Sequence, residues 1–162
     1  MNSKLLLTGA VTAALLAAAC GGTTSSTTAT SPSPSPVGSP ATTGTTIAVA
    51  TNAKLGQLLV DSKGMTVYLF VADTGTSSTC YTSCATIWPP VLTTGAPQAG
   101  AGATATQLGT TTRTDGKVEV TYAGHPLYYF VQDKAAGDTT GQGINGFGGL
   151  WWVLSPSGAA IH

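Results

Sequence analysis

The sequence predicts a mainly β fold: two pseudo-symmetric, hairpin-based repeats forming one small sandwich- or barrel-like domain, with at most short helical turns. The first observation is a Tyr-x-Phe-Val-x-Asp motif that occurs twice along the chain. Its two copies contain Tyr68, Phe70, Asp73 and Tyr128, Phe130, Asp133. The second observation is a glycine at the same distance before each copy, Gly64 and Gly124. A repeat of this length is a supersecondary unit that buries its apolar face against its partner.

Residues 1–20 have the form of a targeting segment. One positive charge, Lys4, precedes an apolar run that is rich in alanine and too short for a comfortable membrane span. Cys20 follows three alanines, which resembles the lipobox of bacterial lipoproteins, whose cysteine is acylated. The alternative is an ordinary signal peptide that leaves Cys20 as an unpaired thiol. We expect a lipoprotein signal peptide, an acylated Cys20 and a location on the extracytoplasmic face of the cell membrane.

Residues 21–46 are a low-complexity segment of Gly, Thr, Ser, Ala and Pro, with an alternating Ser-Pro run at 31–36. The segment has no charged residue and almost no apolar one, so burial cannot offset the entropy of ordering it. A flexible coil of this length spans roughly 30 Å. We therefore predict a disordered tether between the membrane anchor and the folded part.

The remaining residues, 47–162, are enough for a single β domain with a modest core. Charged residues are only 7% of the chain, six basic against six acidic. The chain contains no basic stripe, so nucleic acid is excluded as an expected partner. A polybasic lipid-binding segment is missing for the same reason.

Each repeat opens with a predicted β-hairpin. In the first repeat, the apolar segments 57–60 and 65–71 flank a turn at 61–64; in the second, 117–122 and 126–131 flank a turn at 123–125. Alternating residues of segment 65–71 point to opposite faces, and both faces are apolar. This strand is therefore expected to be covered on both sides, as in a sandwich or barrel.

A Trp-led segment follows in each half. Residues 88–92 (WPPVL) align with 151–154 (WWVL) at an offset of 63, and a loop of variable length precedes each. Trp88 and Trp152 are assigned to the repeat motif. Residues 93–112 are predicted to be a surface connection, with a short strand near Gln107. The two repeats then span about 52–95 and 113–158.

The motif residues have a structural and a functional interpretation. Asp73 and Asp133 end their strands, where aspartate most often accepts N–H bonds from its own turn. The alternatives are metal or ligand contact, or a glycosidase-like carboxylate pair across the two repeats. The equivalent Tyr and Phe residues are expected to pack together in the core.

Cys80 and Cys84 are an even pair in a chain that leaves the cytoplasm, which favours a structural disulfide. If residues 80–84 form one helical turn, the Cα atoms lie about 6 Å apart, within disulfide range. The alternative is a metal thiolate or a redox-active pair. A zinc site needs four ligands, and His125 is far along the chain. No metal and no cofactor are therefore expected.

No catalytic motif is present, so the chain is not expected to be an enzyme. The sequence has neither a G-x-S-x-G elbow nor an H-E-x-x-H helix. Residues 141–146 (GQGING) match G-x-G-x-x-G, but glycines and tryptophans follow instead of a helix. They are predicted to form a loop and not a nucleotide site.

The motifs, taken in order, resemble a family of bacterial predicted lipoproteins called secreted repeats of unknown function. The doubled Tyr-x-aromatic-x-x-Asp motif, the spacing of Cys80 and Cys84 before Trp88, and the glycine-rich run at 137–143 all fit, over residues 51–158. The resemblance implies an extracytoplasmic, usually lipid-anchored tandem repeat. It brings no activity, substrate or catalytic residue.

Two hypotheses of function follow. The first is a lipid-anchored binding or structural module of the cell envelope, whose partner is an envelope component or another protein. The second is an extracytoplasmic redox or metal-handling lipoprotein that uses Cys80, Cys84, Met65 and His125, or the Tyr and Trp residues.

Overall fold

The computed structural model describes residues 44–162, which form nine short strands, one α-helix and one 3-10 helix. The strands are β1 (Thr46–Asn52), β2 (Gly56–Asp61), β3 (Tyr68–Phe70), β4 (Gln98–Ala99), β5 (Leu108–Thr112), β6 (Val118–Tyr122), β7 (His125–Pro126), β8 (Asn145–Gly146) and β9 (Gly149–Val153). Helix α1 spans Ser83–Ile87, and the 3-10 helix spans Ala105–Gln107. The predicted signal peptide, Cys20 and the tether up to residue 43 lie outside the described residues. None of the helices described within 44–162 is long and apolar enough to cross a membrane.

The strands form three small sheets, with the orders β2-β1-β4, β3-β9-β8 and β5-β6-β7. The prediction of a mainly β fold with two repeats and only short helical turns is confirmed. Within the described residues the sheets do not close into a barrel.

Strand β1, at the start of the first repeat, was not predicted, and the short strand expected near Gln107 is the five-residue β5. β1 pairs antiparallel with β2, and β5 pairs antiparallel with β6. β5 forms the last five residues of the predicted surface connection, and β1 starts at the last residue of the predicted tether. Both strands contain β-branched residues that favour strands, but each adjoins a segment rich in Ala, Thr and Gly that hides its beginning. Pairing with the neighbouring strand makes them extended.

The predicted hairpin turns are present in both repeats and differ by one residue. In the first, Asp61 N–H donates to the Met65 carbonyl around a three-residue loop that needs Gly64 at φ +79°. In the second, Tyr122 pairs directly with His125 around a two-residue loop. Equivalent residues are therefore 61 apart before the turn and 60 apart after it. Through this shift, Leu58 of the first repeat corresponds to Glu119 of the second.

The motif strand of each repeat pairs with a segment of the other repeat. β3 pairs antiparallel with β9, so that Tyr68 lies opposite Val153. In the equivalent arrangement, Tyr128 forms a bridge to Pro90, which follows the other tryptophan. Each motif strand thus lies on the Trp-led segment of the other repeat. Between them, Tyr68 and Tyr128 exchange two backbone hydrogen bonds of 2.8 and 3.0 Å, which mark a local pseudo-twofold axis.

The core has two hydrophobic clusters, and both contain residues from both repeats. The first holds the motif aromatics, the two cysteines and strand residues Leu58 and Val60. The second is mostly aliphatic, around Leu59, Leu127 and Leu154. The two repeats therefore bury their apolar faces jointly, and the sheet β3-β9-β8 joins the motif strand of the first repeat to the Trp-led strand of the second.

Candidate functional site at the repeat interface

Two tyrosine–aspartate pairs cross the interface between the repeats. The Tyr68 hydroxyl donates to Asp133 Oδ2 at 2.6 Å, and the Tyr128 hydroxyl donates to Asp73 Oδ2 at 2.7 Å. Both tyrosines have no solvent exposure. Short hydrogen bonds of this kind are typical of carboxylate acceptors. Burial is the main cause that raises the pKa of both phenols, so both remain protonated donors.

The other oxygen of each aspartate holds a loop of its own repeat. Thr79 donates its backbone N–H and its hydroxyl to Asp73 Oδ1 at 2.7 and 2.8 Å. Thr140 donates the same two groups to Asp133 Oδ1 at 2.9 and 2.5 Å. Each aspartate thus accepts an N–H bond from the turn that follows its strand. Each also connects that turn to a tyrosine of the other repeat.

Between the two pairs lies a stack of four aromatic rings. The rings follow one another in the order Phe70, Trp151, Trp88, Phe130. Successive centroids are 4.0, 4.0 and 4.3 Å apart, and the two central indoles are parallel to within 4°. Tyr68 meets Trp88 edge-on at 5.3 Å, and Tyr128 meets Trp151 edge-on at 5.2 Å. Stacked and edge-on arrangements are the favoured geometries of aromatic pairs.

The indole equivalent to Trp88 is Trp151 and not Trp152. Neighbouring side chains of a strand point to opposite faces, so only one of the two tryptophans can reach the stack. Trp152 lies on the other face of β9, where it is half-buried and contacts the His162 ring at 4.6 Å. The repeat alignment at an offset of 63 pairs Trp88 with Trp151, and the structure agrees with that alignment.

The single arginine and the single glutamate of the chain, Arg113 and Glu119, form a buried ion pair that the sequence analysis missed. Arg113 Nη1 donates to Glu119 Oε2 at 2.8 Å and to Ser78 Oγ at 2.8 Å, and Nη2 donates to the Cys80 carbonyl at 2.6 Å. The two charged side chains are 1% and 0% exposed. The guanidinium also lies over the Tyr81 ring, 4.4 Å from its centroid.

Burial raises the pKa of Glu119 to about 7, although Arg113 acts in the opposite direction. Among the described residues, Glu119 Oε1 is buried and has no hydrogen-bond partner. Ser78 Oγ lies 2.7 Å from the Tyr128 hydroxyl, so the ion pair is joined to the Tyr128–Asp73 pair. Strand alternation places Glu119 on the face of β6 opposite to its apolar residues, which predicts a solvent-exposed side chain. A strand that is covered on both faces has no exposed side, and this reasoning could have predicted that Glu119 is buried.

Cys80 and Cys84 are joined by a disulfide with a Cα–Cα distance of 5.2 Å. Both residues are buried in the cluster that contains Trp88. Helix α1 begins at Ser83, so the bridge connects the loop to the start of the helix and does not span one helical turn. The bond holds this loop against the aromatic stack.

His125 lines a cavity of about 330 Å³ together with Phe70, Asp73, Trp152 and His162. Met65 and the cysteines, which the metal-handling hypothesis needs beside it, are not among the residues that line this cavity. Within residues 44–162, no group of three or more His, Cys, Asp or Glu side chains is placed to hold a metal ion. The described part of the chain therefore offers no metal centre to that hypothesis.

Gly141, the first glycine of the G-x-G-x-x-G run, has a packing role. A Cβ at this position would lie 2.7 Å from the Trp88 ring and 3.0 Å from the Tyr68 ring. Its N–H donates to the Tyr68 hydroxyl at 3.3 Å. The last two residues of the run form β8, the first strand of the β8–β9 hairpin, so no helix follows the run.

The β8–β9 hairpin carries an exposed phenylalanine that the sequence analysis did not single out. Phe147 and Gly148 form its two-residue loop, with φ +58° and +93°, the two positive angles of a type I′ turn. Phe147 is 49% exposed, and Val71 and Leu150 are also among the exposed apolar side chains. Val71 N–H donates to the Leu150 carbonyl at 3.0 Å, which places these two side by side. We call Val71, Phe147 and Leu150 the hairpin tip.

The comparison with protein families returns one match in two segments. The profile described as "secreted repeat of unknown function" matches residues 49–92 and 109–155, which are the two structural repeats. No curated protein and no solved structure matches the chain. A secreted family supports the extracytoplasmic location that the sequence predicts. The two matches cover more than half of the chain, and the chain belongs to the family of secreted repeats of unknown function.

Proposed function

We propose that the protein is a lipid-anchored component of the cell envelope whose β domain is a binding module on the extracytoplasmic face of the membrane. The anchor is Cys20, acylated after removal of residues 1–19, and residues 21–43 are the tether. Three facts support this proposal: the apolar run before Cys20, the uncharged low-complexity segment after it, and membership of a secreted family.

The observation that carries the binding role is the conformation of Phe147. The first central position of a type I′ turn strongly favours asparagine, aspartate or glycine, because φ is positive there. A bulky residue with positive φ is an outlier and costs about 1–2 kcal/mol. Phe147 nevertheless occupies this position and leaves about half of its ring in solvent, 49%. Backbone strain of this kind clusters at functional sites, and contiguous exposed apolar side chains mark binding surfaces.

The motif side chains are not available for the same purpose. Tyr68, Tyr128 and the four stacked rings are buried, and both phenol hydroxyls bond inside the domain. A ligand would therefore meet the surface, where the hairpin tip offers three exposed apolar side chains. Because the chain has few charges, the expected partner is an uncharged envelope component or a protein with an apolar face.

The binding role is tested on full-length protein carrying Cys20→Ser, so that the anchor does not contribute, with envelope fragments from cells that lack the protein. Phe147→Asn is expected to weaken saturable co-sedimentation about tenfold, which corresponds to about 1.4 kcal/mol. The same substitution should raise the free energy of unfolding by about 1 kcal/mol, because asparagine tolerates positive φ.

The matched control is Val118→Thr, which removes an exposed apolar side chain from β6, in a different sheet. It should leave binding unchanged. Binding that does not saturate, or that Phe147→Asn leaves intact, contradicts the role of the hairpin tip.

The anchor is tested separately by the same Cys20→Ser substitution. The variant should move from the membrane fraction to the medium and lose incorporation of labelled fatty acid, because the acylated thiol is gone. Cys80→Ser with Cys84→Ser is the control and should stay in the membrane fraction. A Cys20→Ser protein that remains membrane-bound shows that another segment holds it.

A further inference from the structure

We propose that the cavity beside His125 binds one sugar ring of an uncharged glycan, with the two histidines of the chain and Asp73 as hydrogen-bonding groups and Trp152 as the apolar wall. The proposal rests on the binding role proposed above and names the chemical class of the ligand. The cavity has a volume of about 330 Å³ and shares Val71 with the hairpin tip, so the two surfaces adjoin. We call it the histidine cavity.

Both histidines of the chain line this cavity, although they lie in distant parts of the sequence. His125 begins strand β7, and His162 follows β9, where its ring meets Trp152 edge-on at 4.6 Å. Among residues 44–162, no hydrogen bond and no ion pair engages either imidazole ring. A neutral imidazole has one donor nitrogen and one acceptor nitrogen. The cavity therefore presents two polar groups that the fold itself does not use.

Asp73 adds a hydrogen-bond acceptor to the wall of the cavity. A carboxylate has about four lone-pair sites. Within the described residues, Oδ1 of Asp73 accepts two hydrogen bonds from Thr79, and Oδ2 accepts one from Tyr128. One site on Oδ2 is left, and Asp73 is partly exposed. Asp133 has the same internal bonds but only 7% exposure, so Asp73 is the more accessible of the two.

The repeat fold does not require the histidine or the indole of this cavity. By the repeat spacing, Met65 is the counterpart of His125, and Pro89 is the counterpart of Trp152. The rings of the aromatic stack, in contrast, have equivalents on both sides of the pseudo-twofold axis. Packing between the repeats therefore does not account for the side chains that line the histidine cavity.

The positions of the polar groups fit a ring-sized ligand and not a metal ion. Asp73, His125 and His162 line one cavity, yet no three His, Cys, Asp or Glu side chains within 44–162 come close enough to hold a metal. The three groups are therefore spread around the cavity, and a sugar ring carries its hydroxyl groups around its edge in the same way. The volume is at the lower end of the ~300–1,000 Å³ range of ligand sites, which suits one ring with its substituents.

The chemistry of the lining favours a neutral polyhydroxyl ligand over other classes. An anion would face Asp73, and no lysine or arginine is among the described residues that line the cavity. An organic cation would find a single carboxylate, whose charge three internal donors already share. A purely apolar ligand would bury the polar groups without partners, which is unfavourable. A sugar ring offers hydroxyl groups to Asp73 and the imidazoles, and C–H groups to Trp152 and Leu69.

The test uses the full-length protein carrying Cys20→Ser and follows the imidazole Cε1 protons by nuclear magnetic resonance. Because the chain has two histidines, two such signals are expected, and His125→Ala and His162→Ala assign them. The probes are glucose, galactose, mannose and N-acetylglucosamine. We expect at least one of them to shift both signals along a saturable curve, with half-saturation at millimolar concentration. Glycerol, an acyclic polyol, and glucuronate, an anionic sugar, should give no saturable shift.

The variants locate the site through the signal of the remaining histidine. His125→Ala and His162→Ala should each weaken binding of that sugar about tenfold, because each removes one hydrogen-bonding group. The matched control is Lys117→Ala, which removes an exposed polar side chain before β6 that does not line the histidine cavity. It should leave the binding curve unchanged. If His125→Ala loses its cooperative thermal transition, His162→Ala decides, because His162 is exposed.

The same sugar should also reduce co-sedimentation of the protein with envelope fragments. If Phe147→Asn weakens co-sedimentation but neither the sugar nor the histidine variants affect it, the binding role stands and the sugar site is wrong. If none of them has an effect, both proposals fail. The sugar site is also overturned if none of the four sugars gives a saturable shift, if glycerol reproduces the shift, or if both histidine variants bind as the unaltered protein does.

Discussion

The two repeats share their central residues and differ in what surrounds them. Tyr68, Phe70 and Asp73 share the tyrosine–aspartate bond, the stacking on an indole and the threonine bond with their counterparts in the second repeat. At the position before the hairpin turn, however, apolar Leu58 of the first repeat corresponds to Glu119 of the second. The shared residues lie at the pseudo-twofold axis, where each repeat is the packing partner of the other. A change on one side there disturbs both.

The positions equivalent to the ion pair show how the repeats have diverged. Asn52 corresponds to Arg113, and both side chains donate to a carbonyl in the loop of the other repeat. Asn52 does so at 3.3 Å on the surface, to Gly137, whereas Arg113 does so at 2.6 Å in the interior, to Cys80. The loop of the first repeat is thus held by a buried charge and a disulfide. The loop of the second forms the β8–β9 hairpin with its exposed tip.

The shared core should respond equally from either side. Phe70→Ala and Phe130→Ala each remove an end ring of the stack and leave a cavity, so each is expected to cost about 3–5 kcal/mol in the free energy of unfolding. Urea denaturation of the two variants measures this. Costs that differ by more than the scatter of the method would contradict the equivalence of the two repeats.

The diverged positions should respond unequally. Arg113→Ala leaves Glu119 buried without its charge partner and is expected to cost about 3–5 kcal/mol at pH 8. Asn52→Ala removes one exposed hydrogen bond and should cost about 0.5 kcal/mol. Denaturation at that pH compares the two. A similar cost for both would mean that the ion pair contributes no more than its surface counterpart.

The ion pair also predicts how stability depends on pH. Burial raises the pKa of Glu119 from 4.5 to about 7. Between these values the folded protein holds a proton that the unfolded chain has released, so stability falls as the pH rises, by about 3 kcal/mol in all. Glu119→Gln should flatten this part of the curve, and Asp115→Asn, at the surface, should not. A curve that rises between pH 4.5 and 7 in the unaltered protein would show that Glu119 stays ionised.

The disulfide should have the smallest of these effects. It closes a short loop between residues four positions apart, so reduction is expected to cost about 2 kcal/mol. Alkylation without a reductant should leave Cys80 and Cys84 unlabelled, and reduction should allow both to be labelled. Free thiols in protein isolated from its native compartment would contradict the bond.

Gly141 occupies the place of Cys80 in the second repeat, where close contact with Trp88 replaces the bridge.

Much of the fold could be predicted because its signals are local. The turns at Gly64 and Gly124 and the runs of aromatic and β-branched residues after them are recognisable within a few positions. The constant spacing of the two repeats also predicted that they share one core. Strand β1 was missed, and β5 was expected only as a short strand near Gln107, because each adjoins a low-complexity segment that hides its beginning. Phe147 was missed because a type I′ turn favours asparagine at this position, so a phenylalanine there does not predict the turn.

The sequence by itself determined that there are two repeats, that they are β, that their aromatics are internal and that the two cysteines lie close enough to pair. Only the tertiary structure decided which tyrosine reaches which aspartate, which tryptophan joins the stack, and that Arg113 and Glu119 meet inside. The tyrosine–aspartate partners are 65 and 55 residues apart, and the repeat pattern is equally compatible with pairs inside each repeat. They lie across the interface because each motif strand pairs with the Trp-led segment of the other repeat.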